Sequence, residues 1–273
     1  MPEHSQERGQ SMKPTVTIFS NQKGGVGKTT LCRELGVYVA SQGLSVLLVD
    51  ADPQGNLSRS LLTEPPESIG GLFDALEASI ISIKEISEYL SILAGDFRLS
   101  ALEKSLVGEI DAFGRLRELF DTPPFRKYDH IFVDTPPSLG VLTGNALAAG
   151  DHILIPMRPA LYSMQGTNDL MKTIAKVKKT INPHLNLLGV VINGFDSVPV
   201  IVREIREEIS ESFGDKVFET MLSLTIKLEE AIAEKKGVIH MKKLDKSRAR
   251  EEVQRIGAEL LARLGGVIPE VSQ

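Results

Sequence analysis

Residues 21–30 read NQKGGVGKTT, and this glycine-rich stretch decides the fold. It follows a short apolar run and precedes a segment with apolar residues at every fourth position, so it joins a strand to a helix. Glycines let the backbone turn so that successive N–H groups point inward, and the helix N-terminus adds its positive dipole end. Lys28 supplies a compact positive charge, and the Thr29 hydroxyl is suited to ligate Mg²⁺. The stretch therefore predicts a loop that cradles the phosphates of a nucleotide.

The loop departs from the usual G-x-x-x-x-G-K-[ST] pattern at one position and carries an additional lysine at another. Gln22 stands where the first glycine is expected, and Lys23 adds a second lysine. One lysine suffices to reach the β- and γ-phosphates from its own loop. From the spacing alone, Lys23 is either a solvated loop residue or a group that reaches a nucleotide in a facing subunit.

Outward from the loop, strand-like and helix-like segments alternate. Strands are predicted at 15–20, 45–49, 90–94, 130–133, 152–156, 187–192 and 217–221. Helices are predicted directly after the loop, where Leu31, Leu35 and Val39 share one face, and near 165–180, 199–213 and 249–264. Several strands are continuously apolar, as expected where helices cover both faces. We expect an α/β fold with a single doubly wound, mainly parallel sheet and helices on both faces.

The chain shows no internal repeat and no linker long enough to divide it. We expect one P-loop ATPase domain over residues 14–273. Residues 1–13 contain almost nothing apolar, so we expect a disordered N-terminal extension there. Met12 is a second possible start of translation.

Two further stretches place carboxylates at strand ends: residues 46–56 read VLLVDADPQGN and residues 128–138 read YDHIFVDTPPS. The carboxyl ends of parallel strands meet at the edge that holds the phosphate loop, so these aspartates should lie near the phosphates. Asp50 ends its strand near the Mg²⁺ region, and Asp52 can reach the water that attacks the γ-phosphate. Asp134 would hold Mg²⁺ through a water. The predicted metal-binding residues are Thr29, Asp50 and Asp134.

These stretches resemble the deviant Walker A ATPases of the ParA/MinD group, and most of all the ParA-type DNA-partitioning proteins. The resemblance covers about residues 14–264 and continues through LTGNALA at 142–148, VVIN at 190–193 and, more loosely, IKLEEA at 226–231. In that family the first lysine of the loop reaches across a nucleotide-sandwich dimer to the partner's ATP. The second aspartate of the stretch that corresponds to residues 46–56 takes part in hydrolysis. The resemblance implies catalytic roles for Lys23, Lys28 and Asp52.

The resemblance also implies that Asn193 meets the adenine edge. The predicted nucleotide-binding residues are Lys23, Gly24, Gly25, Val26, Gly27, Lys28, Thr29, Thr30 and Asn193. One departure concerns residues 223–225, which read Ser-Leu-Thr where the family usually has Pro-Arg-Asn. The residues that usually pack against adenine in the family, and one arginine that contacts DNA there, are therefore absent from these positions.

The charge is balanced, with 31 Lys and Arg against 36 Asp and Glu, a formal net charge of -5. This balance excludes binding of nucleic acid or lipid over the whole surface, so any such binding must come from a local patch. Residues 235–250, here called the basic segment, hold seven Lys or Arg against Asp245 alone. The segment is either a solvated face or a contact to phosphate backbones, and the resemblance favours the latter. The predicted DNA-binding residues are Arg203, Arg206, Lys227, Lys242, Lys243, Lys246, Arg248 and Arg250.

The cysteine, histidine and apolar residues of the chain exclude several further classes of protein. Cys32 is the only cysteine, which excludes a disulfide framework, and the five histidines show no metal-ligand spacing. The closing helix, with Ile256 and Leu260 on its apolar face, should pack in the core rather than bind a membrane. Because no run of about 18 apolar residues is present, we expect a cytoplasmic protein. The resemblance implies that it associates with the nucleoid.

We therefore expect a ParA-like, slow ATP hydrolase that uses ATP and Mg²⁺. It should form an ATP-dependent sandwich homodimer, bind double-stranded DNA nonspecifically, and position DNA or another cargo. A ParB-like or other adaptor would stimulate hydrolysis. Two alternatives remain: a MinD-like membrane-associated ATPase, which needs a cationic amphipathic C-terminus, and an ATP-dependent metabolic ligase on the same fold, such as a cobyrinate amidase or a dethiobiotin synthetase, which usually keeps no counterpart of Lys23.

Overall fold

A single sheet organises the computed structural model, which describes residues 13–109, 111–159, 163–195, 199–223, 225–244 and 246–265. Its strands are β1 (Thr15–Phe19), β2 (Val46–Asp50), β3 (Lys84–Ser87), β4 (Leu90–Leu93), β5 (His130–Asp134), β6 (His152–Met157), β7 (Asn186–Phe195) and β8 (Leu222–Ser223). They follow the order β3-β4-β2-β5-β1-β6-β7-β8, and among the paired strands only β3 runs antiparallel to its neighbour in this described part. The α/β fold predicted from the sequence is confirmed.

Helices cover both faces of the sheet. They are α1 (Lys28–Ser41), α2 (Asn56–Leu61), α3 (Pro66–Ile69), α4 (Leu72–Ala78), α5 (Leu99–Ser105), α6 (Arg115–Phe120), α7 (Val141–Ala149), α8 (Ser163–Thr180), α9 (Pro199–Phe213), α10 (Ile226–Ala233) and α11 (Arg248–Arg263). Helices α1, α10 and α11 share one apolar cluster, and α6, α7 and α8 share the other. Burial on both faces explains why the central strands are continuously apolar.

Two strands differ from the sequence-based expectation. Strand β3 was not predicted, because its sequence KEIS is polar and mostly exposed at the edge of the sheet. The strand predicted at 217–221 is wrong: Val217 forms only an isolated bridge with Val190, and the paired strand is β8. The reason is a tertiary contact, since the main-chain N–H of Glu219 donates to the carboxylate of Glu259 in α11 at 3.0 Å instead of to a strand.

The closing helix packs as predicted. The side chains of Val253, Ile256, Leu260 and Leu261 are buried in the cluster that α11 shares with α1. Cys32 is buried in the same cluster. Within the described ranges, no helix combines the length and the apolar character needed to cross a bilayer.

The predicted N-terminal extension falls almost wholly on residues 1–12, which lie outside the described part of the chain. Lys13, its last residue, is exposed and forms an ion pair with Asp121 at 2.7 Å.

Candidate functional site

Three neighbouring strands, β1, β2 and β5, end at one edge of the sheet. The strand register pairs Phe19 with Asp134, and Asp134 with Asp50, so the phosphate loop begins beside both carboxylates. The strand order also reverses at β1, because β5 and β2 lie on one side of it and β6 and β7 on the other. Such a reversal is where doubly wound sheets bind ligands, outside the carboxyl ends of the strands.

The phosphate loop uses glycine where the backbone requires it. Gly25 and Gly27 have φ angles of 69° and 87°, in the left-handed region that residues with a Cβ rarely adopt. A Cβ at Gly27 would also lie 1.5 Å from Nδ2 of Asn193. That amide donates a hydrogen bond to the carbonyl of Val26 at 2.8 Å. Asn193 thus fixes the loop from β7, and its predicted contact with adenine stays a prediction.

A second asparagine, which the sequence analysis missed, fixes the beginning of the loop. The buried Asn21 donates from Nδ2 to the carbonyl of Pro156 at 2.7 Å, and its Oδ1 accepts from the main-chain N–H of Lys23 at 3.0 Å. The second contact is a local turn that Asn commonly makes two residues on, and this pattern could have identified it. The loop is therefore tied to β6 before its first glycine.

Lys28, the second lysine of the loop, is almost wholly buried. Its Nζ donates to the carbonyl of Lys23 at 3.3 Å, so the side chain folds back along its own loop. Burial lowers the pKa of Lys28, while the nearby carboxylates of Asp134 and Asp52 act in the opposite direction. The charge is thus held beside the position predicted for the β- and γ-phosphates.

Thr29 and Asp134 form the candidate Mg²⁺ site. The Thr29 hydroxyl donates to Oδ2 of Asp134 at 2.6 Å, whereas the buried Oδ1 of Asp134 has no hydrogen-bond partner among the described residues. Burial raises the pKa of Asp134 well above its usual value, and the negative charge of Asp50 adds to this shift. A buried carboxylate with an unpaired oxygen beside a hydroxyl fits a divalent cation, which would favour its charged form.

The donor set also fits Mg²⁺ in particular. In the described ranges, no three His, Cys, Asp or Glu side chains group closely enough to hold a metal by themselves. Mg²⁺ does not need such a cage, because it usually keeps several waters and takes one or two carboxylates together with substrate phosphates.

Asp50 and Asp52 occupy different environments. Asp50 is fully buried, and burial raises its pKa to about 6. Its Oδ2 accepts from the N–H and the hydroxyl of Ser58 at 2.8 and 2.7 Å, and its Oδ1 accepts from the N–H of Asp52 at 3.2 Å. Asp52 faces the cleft, and its Oδ1 accepts from the N–H of Gln54 at 2.9 Å. Asp50 thus holds the backbone that presents Asp52, and Ser58 is a supporting residue that the sequence analysis missed.

A cleft of 390 Å³ opens beside the loop. The predicted residues that line it are Gly24, Gly25, Gly27, Lys28, Thr29, Thr30, Asp52 and Asn193. The cleft is also lined by residues that were not predicted: Arg158, Gly194, Thr225, Leu228, Glu229 and Ile232. Arg158 directly follows β6. Its position just after a strand that was predicted from the sequence could have identified it as a residue of the cleft. Helix α10 and Thr225, the residue before it, therefore line the cleft together with the phosphate loop.

The predicted DNA-binding residues form two groups. Lys227 contacts Glu230 at 3.0 Å, and Lys243 lies 4.0 Å from the same carboxylate while it also pairs with Glu234. Lys242 and Lys246 are exposed nearby along the chain.

In the second group, Arg248 pairs with Glu252 at 2.6 Å, and Arg206 donates to the carbonyl of Glu219 at 3.2 Å. Glu219, Arg248 and Glu252 line the same surface hollow. Arg250 is partly buried, and the side chain of Arg203 lies outside the described residues. Several of these cations are therefore partly neutralised by nearby carboxylates.

Comparisons with known proteins identify the family of the chain. A protein-family model described as an AAA domain matches residues 14–187. The chromosome partitioning protein ParA of Myxococcus xanthus is 36% identical over 261 residues, which cover 94% of this chain and 91% of the relative. The sporulation initiation inhibitor protein Soj of Bacillus subtilis is 36% identical over 228 residues, or 82% of this chain and 90% of the relative.

A solved structure shares the fold. Cobyrinic acid a,c-diamide synthase from Mycobacterium smegmatis, with bound ATP analog and magnesium, superimposes with a TM-score of 0.79 at 26% identity, covering 92% of this chain and 95% of that chain. The phosphate loop, the two strand-end aspartates and the match along most of the chain lead to the same assignment. The chain belongs to the ParA/Soj family of P-loop partitioning ATPases.

Proposed function

We propose that this protein is a Mg²⁺-dependent ATP hydrolase that forms an ATP-dependent sandwich dimer, binds double-stranded DNA without sequence preference, and positions DNA or another cargo. A stimulating adaptor of the ParB kind would trigger hydrolysis, and the protein would act in the cytoplasm at the nucleoid. The contact between the Thr29 hydroxyl and Asp134, which leaves Asp134 Oδ1 without a described partner, is the observation that carries the proposal.

Each residue of the phosphate loop has a distinct part in the proposed chemistry. The main-chain amides of residues 24–27 and the ammonium of Lys28 bind the β- and γ-phosphates. Thr29 and Asp134 hold Mg²⁺, which neutralises charge on the phosphates when it is bound. Asp52 orients the attacking water, because it lines the cleft and its backbone is fixed by Asp50. Slow hydrolysis that an adaptor accelerates would suit a timing switch.

The dimer is proposed from the position of Lys23. Its main chain is held on both sides, since its N–H donates to Asn21 and its carbonyl accepts from Lys28. The side chain is partly exposed, and Lys23 is absent from the described lining of the cleft. Lys28 already serves the phosphates of its own subunit. Lys23 is therefore suited to the phosphates of a nucleotide in a facing subunit.

The DNA surface is proposed from the basic segment and α10. Lys227 and Lys243 both reach Glu230, so the two cations lie on one side of α10. Ion pairs at this exposure contribute only about 0–1 kcal/mol, so DNA phosphates can replace the carboxylates. One subunit offers few such contacts, and two subunits double them, which makes tight binding depend on the dimer.

The metabolic ligase is the second candidate, and one observation favours it: the solved structure described above is named as a cobyrinic acid a,c-diamide synthase. The identity to that chain is 26%, against 36% over 94% of this chain for the partitioning relative. The MinD-like alternative needs an available apolar face at the C-terminus, whereas the apolar face of α11 is buried against the core.

The direct test is a gel shift of nonspecific duplex DNA with Mg²⁺ and ATP, with ADP, or without nucleotide. We expect a shift only with ATP, and a steep salt dependence, because log affinity falls with log salt by about 0.9 per neutralised phosphate. The Lys28→Ala variant serves as a control that should give no shift in any lane. Equal binding in ADP would contradict the proposal and favour the ligase.

A further inference from the structure

A buried ion pair joins α1 to the segment that follows α10. Arg33 and Glu34 are adjacent on α1, and both side chains are essentially inaccessible to solvent. An Nη1 hydrogen of Arg33 is donated to Oε1 of Glu34. The pair begins five residues after Lys28, about 7.5 Å along the helix axis from the phosphate loop.

The two side chains hold the main chain of residues 231–238. Arg33 Nη2 donates to the carbonyl of Ala231 at 3.2 Å and also to the carbonyl of Lys236. Glu34 Oε2 accepts from the N–H of Val238 at 2.8 Å. Ala231 lies in the last turn of α10, and Val238 begins a short 3-10 helix. Glu34 thus satisfies the N–H that begins the 3-10 helix, and Arg33 adds a second donor to the Ala231 carbonyl, which also accepts from the N–H of Lys236 at 3.0 Å.

The desolvation cost of burying this ion pair offsets much of its contribution to the free energy of unfolding. Burial raises the pKa of Glu34 and lowers the pKa of Arg33, and the attraction between the two side chains opposes both shifts. Arg33 Nε has no hydrogen-bond partner among the described residues. Buried ion pairs can often be replaced by apolar side chains of similar volume with little loss of stability, so stability alone does not account for the pair.

The clamped segment lies where the two candidate binding regions meet. On one side is α10, whose Leu228, Glu229 and Ile232 line the nucleotide cleft. On the other side is the basic segment, which begins at Lys235. Lys235 has a positive φ of 56° and donates to the carbonyl of Arg59 in α2, the helix that follows the Asp52 loop. A shift of α1 or α10 when nucleotide binds would therefore move the start of the basic segment.

We propose that Arg33 and Glu34 are positioning residues that couple the nucleotide cleft to the basic segment, so that DNA binding responds to which nucleotide is bound. The inference rests on the proposed function, because it assumes that the basic segment binds DNA in an ATP-dependent way. Neither residue lines the nucleotide cleft within the described part of the chain, so the pair acts through α10 and the residues that follow it.

The test replaces the pair by apolar residues of similar length in Arg33→Met/Glu34→Leu. A matched control, Arg115→Met/Asp111→Leu, removes an ion pair of 3.0 Å whose two side chains are more accessible. Three quantities are measured for the wild type and both variants: affinity for a fluorescent ATP analogue, molar mass with ATP, and the ratio of DNA affinities in ATP and ADP. A coupling of the usual size makes the wild-type ratio about tenfold or more.

We expect the Arg33/Glu34 variant to bind nucleotide within about threefold of the wild type and to dimerise, while its ATP-to-ADP ratio of DNA affinity falls about fivefold or more below the wild-type ratio. The ratio that remains is the part that the doubled contacts of the dimer supply. The control should keep the wild-type ratio. A variant that keeps the wild-type ratio, or that loses it only because it no longer dimerises, would overturn the inference. A wild type without any nucleotide dependence would instead contradict the proposed function, which separates the two failures.

If the variant does not fold, hydrogen exchange on the wild-type protein tests whether Arg33 and Glu34 couple the nucleotide cleft to the basic segment. The N–H of Val238 donates to Glu34, so peptides over residues 231–240 report on the clamp. We expect their exchange to slow several-fold with ATP and Mg²⁺ compared with ADP and Mg²⁺. Exchange that is identical in the two nucleotides would overturn the inference.

Discussion

The phosphate-loop edge and the basic segment are both charged, but they hold their charges in opposite ways. At the loop edge, Asp50 and Asp134 are 0% exposed and Lys28 is 6% exposed. On the basic side, the side chains of Lys243 and Arg248 are 54% and 66% exposed. Buried charges act strongly and only in one geometry, whereas exposed charges are screened and replaceable. Single substitutions should therefore have large effects at the loop edge and smaller, additive effects on the basic segment.

Asp52→Ala should produce the largest effect at the loop edge. We expect hydrolysis to fall about 10³-fold, because a group that orients or activates the attacking water contributes on this scale. ATP and Mg²⁺ should still bind, so the dimer should persist longer than that of the wild type. Phosphate release and the rate of dimer dissociation in ATP are the measurements, and dissociation as fast as in the wild type would contradict the assigned role.

Asp50→Asn should change how stability depends on pH. Burial raises the pKa of Asp50 from 3.8 to about 6, so the folded protein binds this proton more tightly than the unfolded chain does. The corresponding stability is present below about pH 4 and is lost as the pH rises to about 6, up to about 3 kcal/mol.

The measurement compares denaturant unfolding of the wild type and Asp50→Asn at pH 4 and pH 6.5, without nucleotide or Mg²⁺. The variant should lose less stability between the two pH values. Parallel pH profiles for the two proteins would show that burial does not raise the pKa of Asp50 in the folded protein.

Lys28→Ala should weaken ATP binding about 100-fold, because the loop loses its charge-assisted contact to the phosphates. Titration calorimetry measures the affinity. Lys172→Ala on α8 is the control, since Lys172 is exposed and pairs only with Asp169 within the described contacts, at 3.1 Å. Unchanged affinity in Lys28→Ala would refute the assignment of the loop.

Lys242→Glu/Lys243→Glu should have the smallest effect, about a tenfold loss of DNA affinity in ATP at moderate salt, equal for different sequences. Hydrolysis by the protein without DNA should not change. Lys178→Glu/Lys179→Glu makes the same change in charge on α8, which packs on the opposite face of the sheet. If both double variants lose affinity equally, net charge rather than the basic segment controls binding.

The sequence predicted the sheet well because its strands are buried and its loops carry distinctive residues. The phosphate loop, Asp50, Asp52 and Asp134 could all be located at one edge before the structure was known, since strand ends of a parallel sheet converge. The central strands were found because burial on both faces leaves a continuous apolar run.

Features that depend on tertiary contacts could not be predicted. Strand β3 is polar and pairs only along one edge, so no periodicity reveals it. The contact of Asn193 with the loop and the anchoring of Asp50 by Ser58 join residues on different elements. The same holds for Arg33 and Glu34, which read as ordinary helix residues until α10 is placed over them.

The two regions are proposed to work together through an ATP-dependent dimer in which Lys23 reaches the partner's nucleotide. Light scattering of the wild type and of Lys23→Ala, each with ADP and with ATP in the presence of Mg²⁺, tests this dimer. We expect the wild type to change from a molar mass near 29.8 kDa in ADP to about twice that value in ATP. Lys23→Ala should bind ATP with wild-type affinity and remain near 29.8 kDa in both nucleotides. A Lys23→Ala variant that dimerises normally in ATP would contradict the account.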